Sequence, residues 1–147
     1  MAVLPFFRAP KRPVSRVFIH CSASDRPQDD RASVIRDWHI RRGFATIGYH
    51  FYVRKDGTVE PGRNLEKIPA AQEGNNTGTI AICLGGLEKD RFTEAQFDSL
   101  RSLCYSIHEQ LPMVTFHGHC EVNRNKTCPV LDYRKVLRLN SRGELLA

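Results

Sequence analysis

Three clusters of reactive side chains stand out in this 147-residue chain: His20-Cys21, Tyr49-His50, and the segment from His117 to Cys128. A catalytic zinc ion takes three protein ligands from His, Cys or carboxylates and keeps a fourth position open for water. His20, His119 and Cys128 could supply that set. His20 is remote in sequence from the other two and no zinc-finger spacing is present, so spacing by itself leaves the ligand set open. His117 is the alternative ligand, although its place at the end of an apolar run suits a packed histidine. The pair His119-Cys120 offers a different chemistry, because a thiol beside an imidazole can act as a nucleophile.

Such groups need rigid elements to hold them. Val17-Phe18-Ile19-His20-Cys21 is apolar and partly β-branched, as a buried strand would be, and SASDRPQDD breaks it, which leaves His20 at the strand's C-terminal end. Ile35 and Trp38 mark a short amphipathic helix over residues 33–42, closed by Gly43. YHFYVRKDGTVEPGR reads as a hairpin turning at Asp56-Gly57, with Tyr49 opening its first strand and His50 on the opposite face as a structural residue. Residues 64–78 form a long irregular loop suited to lining a groove, and residues 79–84 a further apolar strand. Thr93 and Gln96 make a capping box for a helix carrying Phe97, Leu100, Cys104, Ile107 and Leu111 at helical spacing. A short strand over 113–117, the polar loop GHCEVNRNKTCP and a last helix over 132–140 complete the chain. Interleaved strands and helices without repeats predict a single α/β domain, a central mixed β-sheet flanked by helices. The hairpin excludes a purely parallel sheet.

Composition narrows the partners. A hydrophobic share of 41% with 26% charged residues is ordinary for a globular domain. The net charge of +6 favours an anionic partner, either nucleic acid or the bacterial envelope. The basic residues are scattered, with no arginine-rich helix or RNA-binding motif, so no nucleic acid is expected. No apolar stretch approaches the roughly 20 residues of a membrane span, and the N-terminus lacks the layout of a secretory signal, which predicts cytoplasmic synthesis without a membrane anchor. The five cysteines are irregularly spaced and do not read as a disulfide framework; Cys83 and Cys104 lie in apolar runs as buried thiols. Residues 1–15, rich in Pro and basic side chains, read as an N-terminal tail or strap.

The ordered strings VFIHCSAS, IRDWHIRRGF, IGYHFYVRKDGTVEPGR, TIAICLGG and GHCEVNRNKTCP resemble the type 2 N-acetylmuramoyl-L-alanine amidases, with their peptidoglycan-recognition-protein-like fold. The nearest branch is the short phage lysozymes of the T-seven-phage type, and the likeness runs from about Arg16 to Tyr133. It implies a Zn2+ enzyme over residues 16–147 that cleaves the amide between N-acetylmuramic acid and L-alanine of peptidoglycan. In this reading His20, His119 and Cys128 bind the metal, Tyr49 orients the attacking water or relays its proton, and Lys126 stabilises the oxyanion. Without a secretory signal, the expected setting is a phage or prophage endolysin, a monomer, that reaches the cell wall or periplasm after release by a holin or by export. Two departures stand out: the loop between His119 and Lys126 is one residue longer than in the phage lysozymes, and Ala71 stands where many relatives carry a histidine. A non-cutting module that binds peptidoglycan or a protein, and a thiol-dependent peptidase using Cys120, are the alternatives. Phage relatives can also bind an RNA polymerase, so an additional protein partner stays open.

Overall fold

The apolar run that ends in His20 forms the centre of the molecule. In the computed structural model, which describes residues 7–146, this run is strand β1 (Arg16–Cys21). It is followed by helix α1 (Ala32–Arg41), β2 (Phe51–Val53), β3 (Val59–Pro61), β4 (Thr79–Leu84), helix α2 (Glu94–Gln110), β5 (Thr115–Gly118) and helix α3 (Tyr133–Leu137). The five strands make one sheet in the order β3-β2-β4-β1-β5. β1 runs parallel to both β4 and β5, β2 runs parallel to β4, and only the β2–β3 hairpin is antiparallel. The sheet is mixed, as expected.

Parallel strands covered on both faces carry near-continuous apolar runs, and Val17–Ile19 and Ile80–Leu84 are fully buried in this way. On one face Val17, Ile19, Ile80 and Ile82 pack with Leu100, Leu103, Cys104 and Ile107 of α2 and with Tyr133 and Leu137 of α3. On the other, Ile35, Ile47, Tyr52 and Cys83 form a smaller cluster with Trp38 and Tyr49. Because strand side chains alternate between faces, His20 is directed away from α2, toward Tyr49.

The capping box at Thr93 and Gln96 is present, and the buried Gln96 amide also donates to Val53 O and Gly85 O, tying α2 to two strand ends. Three boundaries differ from expectation. Tyr49 precedes β2 by two residues instead of opening it. β5 starts at Thr115 because Met113, though apolar, is 88% exposed in the turn after α2. α3 stops at Leu137 because Arg138 adopts the left-handed conformation (φ 55°).

Of the tail expected over residues 1–15, residues 1–6 lie outside the described residues. Phe7 is buried beside Phe51, the Gln110 side chain bonds both Ala9 N and Phe7 O, and Arg12 donates to Leu65 O and Thr79 O. Residues 7–15 therefore act as a strap across the domain.

His50 makes the fold sensitive to acid. Its Nδ1 accepts from Ala81 N–H at 3.0 Å and its Nε2 donates to Lys67 O at 2.8 Å, so the neutral ring satisfies both partners. Burial holds its pKa down at about 4. A pKa depressed in the folded state means that the contribution is complete above the unfolded value near 6.5 and is lost as pH falls toward 4. Urea unfolding is expected to show a loss of roughly 3 kcal/mol from this residue over that interval. His39, also lowered to about 4, adds in the same direction. A pH-independent unfolding midpoint between pH 7 and 4.5 would contradict this.

Candidate active site

The end of β1 places the His20 ring in a fully buried position. Its Nε2 lies 2.8 Å from Gln72 Oε1, and its Nδ1 faces Cys128 Sγ at 3.8 Å. The Cys21 backbone N–H donates to the same sulfur at 3.2 Å, which seats Cys128 against the strand end. His119 opens a 3₁₀ turn (His119–Glu121) directly after β5, and its ring centroid is 4.7 Å from that of His20. One potential ligand atom from each of His20, His119 and Cys128 comes together with all three within 4.8 Å of one another. Tetrahedral zinc with ordinary bond lengths sets such atoms about 3.3–3.6 Å apart, so side-chain adjustments of about an ångström suffice for the residues to fit the ion.

Their protonation suits the same use. Burial, with the neighbouring His119, lowers the His20 pKa to about 3, and burial with the Lys126 charge lowers that of His119. Both rings offer lone pairs at neutral pH. Contact with the Cys21 thiol and burial push Cys128 up, keeping it a thiol until a cation compensates the charge.

Gly118 makes the His119 turn possible. A Cβ there would meet the Tyr133 ring at 2.5 Å and Pro129 at 2.9 Å. Glu121 then locks the turn: its carboxylate accepts from Gly118 N–H and from the Tyr133 hydroxyl, and meets His117 Nδ1 at 2.9 Å. The other His117 nitrogen lies 2.6 Å from Thr115 Oγ1, and its ring packs on Phe18. Both His117 nitrogens are thus engaged outside the ligand group. Cys120 bonds Cys128 O through its backbone N–H while its side chain packs against the core.

A cleft of about 380 Å³ opens beside the three residues, lined in part by Tyr49, His39, Arg42, Ala71 and Lys126. In the loop before Cys128, Lys126 N–H bonds Asn123 O, and Lys126 lines the cleft. The Tyr49 ring lies tilted against that of His20, with centroids 5.0 Å apart. Burial, and the thiols of Cys83, Cys128 and Cys21 around it, raise its pKa well above the usual phenol value, so it keeps its proton at neutral pH. Arg42 and Lys126 line this cleft and, among the described residues, no carboxylate does, so it favours anionic groups. A larger hollow of about 780 Å³ between α2 and α3 is lined by none of His20, His119 and Cys128.

Sequence reasoning missed three contributors. Glu121 had a signal, since it stands three residues after Gly118 at the spacing of a capping glutamate. His39, on the helix predicted over 33–42, accepts from Gly48 N–H at 2.8 Å and lines the cleft. Gln72, in the polar string AAQEGNN, carried no signal at all.

Residues 10–130 match the N-acetylmuramoyl-L-alanine amidase family. The chain is 36% identical over 125 residues to the endolysin of Escherichia phage T7, covering 81% of this chain and 82% of that one. Among solved structures it is similar to the Ph2119 endolysin of Thermus scotoductus MAT2119 bacteriophage Ph2119 (TM-score 0.78, 26% identity, 94% and 90% of the two chains). It is also similar to Drosophila PGRP-LB (TM-score 0.69, 26% identity, 87% and 82%).

Proposed function

This chain belongs to the N-acetylmuramoyl-L-alanine amidase family and is a peptidoglycan amidase, and we propose that it works with zinc held by His20, His119 and Cys128. The observation that carries the metal assignment is the convergence of these three side chains at one end of an open cleft. The bond opened is the amide between the lactyl group of N-acetylmuramic acid and L-alanine. The setting is that of a phage or prophage endolysin, monomeric, acting on the wall after release or export.

Zinc at this position supplies a water of lowered pKa and a Lewis acid for the scissile carbonyl. The remaining work falls to the chain itself. Tyr49, protonated at neutral pH, orients water through its hydroxyl and relays a proton. The Lys126 ammonium, in the cleft wall, stabilises the negative charge that develops on the carbonyl oxygen. The cleft, basic and without a carboxylate among the described residues, suits a stem peptide that carries carboxylates of its own. Among the described residues no helix is long and apolar enough to cross a membrane.

Mass spectrometry of purified peptidoglycan digested by zinc-loaded protein tests the proposal. Intact stem peptides with a free L-alanine amine are expected, and a chelator is expected to stop their release. Cuts within the peptide or glycan, or full activity in a metal-free preparation, would overturn it.

A further inference from the structure

The hydrogen-bond inventory behind His20 has only one solution. The Thr79 hydroxyl donates its single proton to Asn76 O at 2.8 Å, so toward Gln72 it can only accept. Gln72 Nε2 donates to that hydroxyl at 2.7 Å and to Asn75 O at 3.2 Å, which uses both amide protons. The Gln72 carbonyl Oε1, an acceptor alone, is therefore the atom 2.8 Å from His20 Nε2. His20 must carry its proton on Nε2. Its bare nitrogen is Nδ1, the atom facing Cys128 Sγ.

Gln72 is itself held firmly. It is fully buried, and its backbone N–H bonds Asn76 Oδ1 at 2.9 Å. Thr79, the anchor of the amide, is the first residue of β4 and pairs with Arg16 of β1. The orientation of His20, carried by β1, is thus set from the start of the neighbouring β4 through a glutamine contributed by the 64–78 loop.

We propose that Gln72 is a positioning residue for the metal centre: it fixes His20 as the Nε2–H tautomer and aims the Nδ1 lone pair at the metal position. Hydrogen-bond acceptors behind a ligating histidine fix its tautomer and ring orientation and raise its basicity, and losing one typically costs 10–100-fold in metal affinity. The inference rests on the three-ligand zinc reading, yet it is separable from it.

Two measurements test it. In metal-free, 15N-labelled protein, the His20 imidazole nitrogens are expected to report the Nε2–H tautomer; finding the proton on Nδ1 would overturn the proposal. In competition with a chromophoric chelator, Gln72→Leu is expected to bind Zn2+ roughly 10–100-fold more weakly than the unaltered chain. Gln72→Glu, which keeps an acceptor at Oε1 but loses the two amide donors that anchor it on Asn75 O and Thr79, is expected to fall between Gln72→Leu and the unaltered chain. Equal affinity of Gln72→Leu and the unaltered chain, or equal losses in the two variants, would overturn the proposal. If the unaltered chain binds no zinc, it is the metal reading that fails, while the tautomer still decides the role of Gln72. That tautomer measurement also stands should Gln72→Leu not fold.

Discussion

Cys128→Ala is expected to leave the protein without stoichiometric zinc after dialysis and to reduce release of stem peptides from peptidoglycan to below roughly a hundredth of the starting rate. The size follows from the ligand count. Structural zinc sites bind with about 10–16 kcal/mol over four ligands, so one ligand accounts for roughly 3 kcal/mol, a factor above one hundred in affinity. Here the loss takes one of the three side chains proposed to hold the ion. It also takes the one sulfur donor of that proposed set. Cys128→Asp, which restores an anionic ligand of a type zinc accepts, is expected to recover part of both metal and activity. Cys120→Ser is the control for thiol chemistry. Because Cys120 packs against the core and lies outside the residues lining the cleft, its substitution is expected to leave turnover within about twofold, the range of a side chain that touches no reacting group. Elemental analysis together with mass spectrometry of the digest reads both effects. Retention of one zinc per chain in Cys128→Ala, or silencing by Cys120→Ser, would reverse the assignment.

What could be read in the sequence was whatever depends on local pattern. β1 and β4 were legible because central parallel strands show continuous apolar runs, and the start of α2 because Thr93 and Gln96 satisfy each other's backbone groups within one turn. The Asp56-Gly57 turn likewise announced the hairpin that makes the sheet mixed. Met113 misled because an apolar side chain in a tight turn looks the same in sequence as the first residue of a strand. Arg138 shortened α3 by taking a left-handed conformation that no glycine or asparagine advertised.

The site was legible at the level of residue type and not of arrangement. From side-chain chemistry both His117 and His119 were eligible ligands, and only the apolar run before His117 favoured a packed role for it. They are separated by what the fold brings to each: Thr115 and Glu121 occupy both nitrogens of His117, while His119 turns toward His20. Gln72 shows the limit most clearly. Its partner His20 lies 52 residues away, and a glutamine in a polar loop has no periodicity from which that contact could be inferred. Loop residues acquire function from what the scaffold puts beside them.

Lys126→Ala should separate metal binding from catalysis. Lys126 lies in the cleft wall two residues from Cys128 and forms no ion pair among the described residues, so its charge is not neutralised by the protein. Its field reaches the site, since it contributes to the lowered pKa of His119. A cation placed there acts most strongly when negative charge appears on the carbonyl oxygen, that is, in the transition state and not in the bound substrate. Removing one such donor typically costs 10²–10³ in kcat, about 3–4 kcal/mol, with little change in KM. Zinc content at neutral pH should be unchanged. The variant should nevertheless hold its metal less well in acid, because without the neighbouring ammonium the His119 pKa rises and protons compete at higher pH. Lys126→Arg, which keeps the charge on a different geometry, should fall between the two. Parallel loss of zinc and turnover in Lys126→Ala at neutral pH would instead mean that Lys126 shapes the loop carrying Cys128, and an unchanged kcat would remove it from the chemistry altogether.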